Sequence, residues 1–269
     1  MKHYLESIFG LEGRMALVTG ASGGIGRALA VGLAGAGARV AVHGRNMNEI
    51  EETISIVNAM GGVAVPLQAD LQDHSACNDL IEAARYHMGK LDILVNCAGI
   101  NRRKPIEQVT EEDWETILTI NLRSVFFLST QAYRLMRQQS PRGGKIVHVA
   151  SLTSFIGLGG TSVYGMTKAA VAQLARTQAV EWAKDNVQVN ALAPGFIRTP
   201  LTEKSLWADD HRRSWLLDRI PARRPGAAQD MVSALLFLVA PASSYVTGQT
   251  IVVDGGFLAG GSWEEQTHA

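Results

Sequence analysis

Cysteine is nearly absent from this chain: among 269 residues only Cys77 and Cys97 occur. Two thiols are too few for a disulfide scaffold, and they lack the spacing of a metal site. The expectation is a reduced, cytoplasmic setting with no bound metal. A surplus of either charge is also missing, since 25 basic residues balance 25 acidic ones. Bulk electrostatics therefore gives no reason to expect a nucleic acid or an anionic membrane as partner. No apolar stretch reaches the roughly 18 residues of a membrane span, and Met1 to Gly10 lacks the hydrophobic run of a signal peptide. Linkers rich in Pro, Ser or charge are not found either. With 46% apolar residues, a single domain over 1–269 around one large core is the simplest organisation. The polar end, Gly260 to Ala269, reads as frayed.

What is present is an alternation of short β-branched runs with amphipathic segments. Strands are expected at Met15–Val18, Arg39–Val42, Val63–Leu67, Leu91–Val95, Lys145–Ala150, Val187–Leu192 and Thr250–Val253. Helices are expected at Ile25–Gly35, Asn48–Met60, Ser75–Met88, Glu111–Gln139 and Val163–Trp182, with a capping signal at Thr110 to Asp113. Nearly continuous apolar strands alternating with helices imply an α/β fold, Rossmann-like and doubly wound. It would have a seven-stranded parallel sheet with helices on both faces.

On that scaffold Gly20, Arg45, Asp70, Asn96, Ser151 and Pro194 all fall at the carboxyl ends of strands. That is the edge where doubly wound sheets bind ligands. Thr19 to Gly26, with Gly20, Ser22, Gly24, Ile25 and Gly26, joins a strand to a helix. Glycines there let the backbone approach a pyrophosphate while the helix N-terminus supplies free N–H donors. The second strand ends His43-Gly44-Arg45-Asn46, with no acid in reach for ribose hydroxyls. Arg45 can neutralise a 2′-phosphate and Asn46 can add a donor, which favours NADP(H), with NAD(H) as the alternative. Read blandly, Arg45 is a solvated surface residue.

Tyr164 and Lys168 are four residues apart, hence one turn apart on one helix face. An ammonium beside a phenol lowers a pKa normally about 10. Ser151, thirteen residues upstream, can face that phenol and bond the oxygen it protonates. Together these groups can move a proton onto or off an alcohol or carbonyl. By itself the pair is a weak signal, and the nucleotide site earlier in the chain strengthens it. Asn121 reads as a helix-surface or kink residue, and Asp70 as a cap for the next helix. His43 and His148 have no carboxylate or metal-ligand spacing and read as structural, and Trp182 as core.

These motifs resemble the short-chain dehydrogenase/reductase family along nearly the whole chain. The carriers are Thr19-Gly20-x-x-x-Gly24-x-Gly26, Asn96-Cys97-Ala98-Gly99, Asn121, Ser151, Tyr164-x-x-x-Lys168, Pro194-Gly195 and Val253-Asp254-Gly255-Gly256. Cys97 departs from the pattern, standing where a second Asn is frequent. The resemblance implies catalytic roles for Asn121, Ser151, Tyr164 and Lys168. Tyr164 would be the general acid in reduction and base in oxidation, with Lys168 depressing its pKa and bonding the nicotinamide ribose. Ser151 would orient the substrate oxygen, and Asn121 would hold a relay water. Asp70 and Leu71 would read the adenine, Asn96, Ala98 and Gly99 would line the cofactor, and Pro194, Gly195, Ile197 and Thr199 would bind the carboxamide. A homotetramer packed through the helices at 111–139 and 163–182 is also implied.

Substrate-facing residues are expected in Asn101 to Pro105, after Ser151, and in a lid at about 195–225. Several stretches, among them Gly99 to Arg103 and Asp218 to Arg223, look like the branch of gluconate 5-dehydrogenase and 2-deoxy-D-gluconate 3-dehydrogenase type. Arg102 and Arg103 would suit the carboxylate of a sugar acid, or else lie exposed or bridge subunits. The resulting expectation is an oxidoreductase interconverting a secondary alcohol and a ketone, on a sugar acid or polyol. A 3-oxoacyl-thioester reductase and a non-catalytic dinucleotide sensor are the alternatives.

Overall fold

The computed structural model describes residues 2–261. The frayed end expected for the last residues therefore falls, from 262 to 269, outside the described residues. In chain order the elements are α1 (Lys2–Phe9), β1 (Met15–Thr19), α2 (Gly24–Gly35), β2 (Arg39–Gly44), α3 (Met47–Ala59), β3 (Val63–Gln68), α4 (Ala76–Met88) and β4 (Ile93–Asn96). There follow α5 (Glu111–Leu118), α6 (Ser124–Met136), β5 (Gly144–Val149), α7 (Ser162–Trp182) and β6 (Val187–Pro194). Last come β7 (Ile197–Arg198), α8 (Pro200–Thr202), α9 (Asp210–Arg219), β8 (Gly226–Ala227), α10 (Val232–Val239) and β9 (Thr250–Val253).

Seven strands form one parallel sheet in the order β3-β2-β1-β4-β5-β6-β9, the doubly wound arrangement expected. Side-chain alternation sorts its interior into two layers. Leu17, Leu94 and Ile146, paired across β1, β4 and β5, pack on one face with residues of α4, α6 and α7. Their neighbours Val18, Val95 and Val147 pack on the other face with α2, α3 and α10. Trp182 belongs to the first layer, stacked on Tyr133 with ring centroids 4.4 Å apart. A third cluster, Leu152, Phe196, Leu206, Trp207, Leu216 and Ile220, lies apart from the sheet and holds the segment at 195–225 against the residues after Ser151.

Three features differ from expectation. The helical run from Glu111 is not uniform: a π turn at Thr119–Arg123 separates α5 from α6. Asn121, described below, lies within it. Helix α1 was not foreseen, nor was the small parallel pairing of β7 with β8 that frames the lid. The capping signal is as read: Thr110 and Asp113 form a capping box at the start of α5.

Order reverses between β1 and β4, which neighbour each other in the sheet although β2 and β3 intervene in sequence. Chain connections leave in opposite directions there and open a crevice at the carboxyl edge. Its floor is close-packed backbone. A Cβ on Gly20, at φ +66°, would lie 2.8 Å from the Ala98 Cα.

Candidate active site

The crevice begins with the turn after β1. A Cβ on Gly26 would sit 2.1 Å from the Gly20 carbonyl oxygen, so only glycine lets α2 approach the strand end so closely. Gly23, by contrast, faces open space, and Thr199 stands across from Gly24 at 3.6 Å from the position a Cβ would take. The N-cap of α2 makes no side-chain hydrogen bond, whereas Asn46, Thr110 and Asp209 cap α3, α5 and α9. Open space beside free helix N–H groups fits a phosphate. Two residues that sequence reasoning passed over brace this turn. Arg27 donates to the Ser22 carbonyl at 2.6 Å and to Thr53 Oγ1 at 3.0 Å, while Thr53 donates to the Ala21 carbonyl at 3.0 Å.

His43 is structural, as expected, but it serves this edge directly. Its Nδ1 accepts from the Gly20 N–H at 3.3 Å and its Nε2 lies 3.2 Å from the Ala69 carbonyl, tying the ends of β1, β2 and β3 together. Burial pushes its pKa down to about 4, so the ring is neutral, with the proton on Nε2 satisfying both contacts. Arg45 is exposed and forms no ion pair among the described residues, and Asn46 caps α3 through Asn48 N–H at 3.0 Å. Asp70 is exposed too. It closes its own turn on the Gln72 N–H at 3.0 Å and does not cap α4. Leu71 is buried beside it.

Thr19 and Asn96 hold the junction of β1 and β4. Thr19 Oγ1 accepts from the N–H groups of Cys97 and Ala98, at 3.1 and 3.2 Å. The Asn96 side chain turns inward, with Nδ2 3.1 Å from both Ser129 Oγ and His148 Nδ1. Beyond it His148 Nε2 reaches Gln178 Oε1 at 2.9 Å. What Asn96 presents to the crevice is its backbone. Cys97 has its thiol pushed up to about 11 by burial, so it stays protonated.

Ser151, Tyr164, Lys168 and Asn121 come together beyond this junction. Asn121 is fully buried; its Oδ1 accepts from the Ile100 N–H and its Nδ2 donates to the Ile100 carbonyl, both at 2.8 Å. This pair of side-chain bonds to the loop arises within the π turn at Thr119–Arg123. Lys168 Nζ donates to the Val149 carbonyl at 2.6 Å. The Gly99 backbone lies beside both groups: a Cβ there would be 3.4 Å from Lys168 Nζ and from Asn121 Oδ1. The Ser151 hydroxyl accepts from Thr153 N–H at 3.1 Å and lies close enough to Tyr164 to offset part of the effect of burial on its phenol.

The electrostatics differ from the expectation that Lys168 acidifies the phenol. Burial pushes Tyr164 above the usual tyrosine value, with the Ser151 hydrogen bond and the Arg103 charge offsetting part of the rise. Burial also pulls Lys168 down to about 8. Its charge is therefore lost before the phenol ionises, and its ammonium gives its bond to Val149. Tyr164 is thus held in its protonated form.

The basic loop after β4 is sorted by its partners. Arg102 pairs with Glu112 and Asp113, at 3.0 and 3.1 Å, and Lys104 pairs with Asp113 at 2.5 Å. These cations hold the Asp113 carboxyl well below the usual range. Arg103 pairs with no acid among the described residues, and its charge acts on Tyr164. Of the two arginines expected at the substrate, only Arg103 is free to serve. Pro194 ends β6, Gly195 packs against Asp254, Ile197 is buried and Thr199 caps α8. Among the described residues no group of three or more His, Cys, Asp or Glu could hold a metal ion, and no helix is long and apolar enough to cross a membrane.

The family model described as enoyl-(acyl carrier protein) reductase matches residues 20–258. The chain belongs to the short-chain dehydrogenase/reductase family. It is accordingly an oxidoreductase acting on CH–OH groups with a nicotinamide cofactor. The 2-dehydro-3-deoxy-D-gluconate 5-dehydrogenase of Dickeya dadantii (strain 3937) is 45% identical to it over 93% of this chain and 98% of its own length. Gluconate 5-dehydrogenase of Gluconobacter oxydans (strain 621H) is 42% identical, over 93% of this chain and 96% of its own. Among solved structures, a gluconate 5-dehydrogenase from Burkholderia cenocepacia J2315 in complex with NADP and tartrate superposes with a TM-score of 0.89. It is 35% identical and covers 94% of this chain and 98% of its own.

Proposed function

We propose that this short-chain dehydrogenase/reductase interconverts a sugar acid and its keto acid with NADP(H). One observation carries the substrate class: Arg103 has no acidic partner among the described residues and its charge acts on Tyr164, while its basic neighbours are neutralised. A guanidinium without a counter-ion at the acid/base residue suits a substrate that brings its own carboxylate. Relatives that act on gluconate-type acids point the same way.

In this reading Tyr164 donates its proton to the ketone oxygen, and Ser151 holds that oxygen through the hydroxyl that faces the phenol. Asn121 fixes the Ile100 backbone and Lys168 bonds the end of β5 at Val149, and the two would connect the phenol to a proton supply. Bound nicotinamide supplies or accepts the hydride. Gly20, Ser22, Gly24, Ile25 and Gly26 would take the pyrophosphate, Arg45 and Asn46 the 2′-phosphate, and Asp70 with Leu71 the adenine. Asn96, Ala98 and Gly99 would line the nucleoside, and Pro194, Gly195, Ile197 and Thr199 would meet the carboxamide. The choice of NADP(H) over NAD(H) rests on the exposed Arg45, which forms no ion pair among the described residues, and on the NADP carried by the solved relative.

The chain would act as one nucleotide-binding domain with its lid at 195–225. It would work in the cytoplasm, where its two unpaired thiols stay reduced. Association into a homotetramer would cover the exposed apolar side chains of α6 and α7, among them Phe126, Phe127, Met166 and Val180. The deciding experiment compares 5-ketogluconate with an acetoacetyl thioester, each with NADPH and NADH. NADPH with 5-ketogluconate is expected to give the highest kcat/KM. Preference for the thioester would transfer the protein to the acyl-reductase reading.

A further inference from the structure

The glycine-rich turn treats its carbonyls and its N–H groups differently. Arg27 Nη2 donates to the Ser22 carbonyl at 2.6 Å, and Thr53 Oγ1 to the Ala21 carbonyl at 3.0 Å. The Arg27 N–H bonds the Gly23 carbonyl at 3.1 Å, so three successive carbonyls are occupied. The N–H groups of Gly20 and Ala21 are bound by His43. Those of Ser22 and Gly23, by contrast, have no partner among the described residues. A trans peptide points its N–H opposite to its carbonyl. Holding the Ala21 and Ser22 carbonyls toward Thr53 and the Arg27 guanidinium therefore turns the Ser22 and Gly23 N–H groups the other way, beside the N-terminus of α2. Neither holder serves its own helix there. A cation near the N-terminus of α2 opposes the helix dipole, and Glu52, at 2.8 Å, offsets it. Thr53 is fully buried and lies nearer the Ala21 carbonyl than the Glu49 carbonyl of its own helix, at 3.3 Å. Arg27 Nε donates to Thr53 Oγ1 at 3.0 Å, so the two act as one unit.

We infer that Arg27 and Thr53 are positioning residues for the nicotinamide cofactor: they lock two peptides of the turn with their N–H groups facing the pyrophosphate. The inference rests on the proposed place of the pyrophosphate at this turn, and on neither the sugar acid nor the choice between NADP(H) and NAD(H). Without the brace either peptide can rotate and bring a carbonyl oxygen against a phosphate, a repulsion that weakens binding. A turn fixed beforehand has no such rearrangement to make when the cofactor arrives.

The test measures dissociation constants of NADPH and NADH by calorimetry, with thermal unfolding of each variant followed in the absence of cofactor. Thr53→Val keeps the shape and removes the hydroxyl, and Arg27→Lys keeps the charge and removes the planar fork. Each is expected to weaken both cofactors by about fivefold or more, the worth of one hydrogen bond, while Thr53→Ser binds as wild type. A merely structural role would lower the unfolding temperature and leave the dissociation constants in place. Gly23→Asp separates the brace from the place of the pyrophosphate. Gly23 is extended, at φ −168°, with nothing within 4 Å of an added Cβ, so a carboxylate fits there and would repel a phosphate. Weaker binding in Gly23→Asp with unchanged binding in Arg27→Lys and Thr53→Val overturns the brace alone. Unchanged binding in all three overturns the pyrophosphate placement with it. A loss confined to NADPH also contradicts the inference, since both cofactors carry the pyrophosphate. Should Thr53→Val fail to fold, Arg27→Lys decides by itself, at a side chain only 29% exposed but on the surface of α2.

Discussion

At the scale of the residue, the site is governed by desolvation. Tyr164 and Lys168 are both moved toward their neutral forms, the phenol upward and the amine down to about 8. A pair that sequence spacing presents as an ammonium acidifying a phenol becomes, once buried, a proton donor held ready beside an amine of moderate basicity. The residue types were legible in the chain and the sign of the shift was not, because burial is a property of the packed neighbours. Without cofactor, the absorbance change of wild type minus Tyr164→Phe on alkaline titration should place Tyr164 ionisation above the ordinary tyrosine value near 10. Ionisation below about 8 would contradict the desolvation argument. Arg102 and Arg103 were likewise indistinguishable in sequence. Asp113, eleven residues after Arg102 and folded back by its capping box, takes one and leaves the other.

At the scale of the element, strand ends and glycine positions were readable because periodicity and turn chemistry are local. The expected strands were recovered within a few residues, and Gly20 and Gly26 occupy places where a side chain would collide with backbone. Asn121 was not readable as more than a kink, since its partner is the Ile100 backbone 21 residues earlier. That tertiary contact, made from within the π turn between α5 and α6, binds the loop after β4 to the helix layer. Asn121→Ala leaves a buried N–H and a buried carbonyl unpaired. It is expected to cost about 2–4 kcal/mol in urea unfolding and to lower turnover by loosening Gly99. A loss under about 0.5 kcal/mol would show that the loop is held by other contacts.

At the scale of the whole molecule, a doubly wound sheet gathers at one edge residues that lie far apart in the chain, from Gly20 to Thr199. The sheet was legible, as was the family. The lid was legible only as an amphipathic stretch, because its helices fold around a separate cluster seeded by Leu152 rather than on the sheet. In the proposed mechanism one phenol, that of Tyr164, gives the substrate its proton. The direct test is the turnover of Tyr164→Phe with 5-ketogluconate at saturating NADPH, with cofactor affinity followed in the same samples. A fall of about a hundredfold or more, with NADPH still bound, is the outcome expected when a positioned acid is removed. Turnover within about threefold of wild type would show that the proton comes from elsewhere.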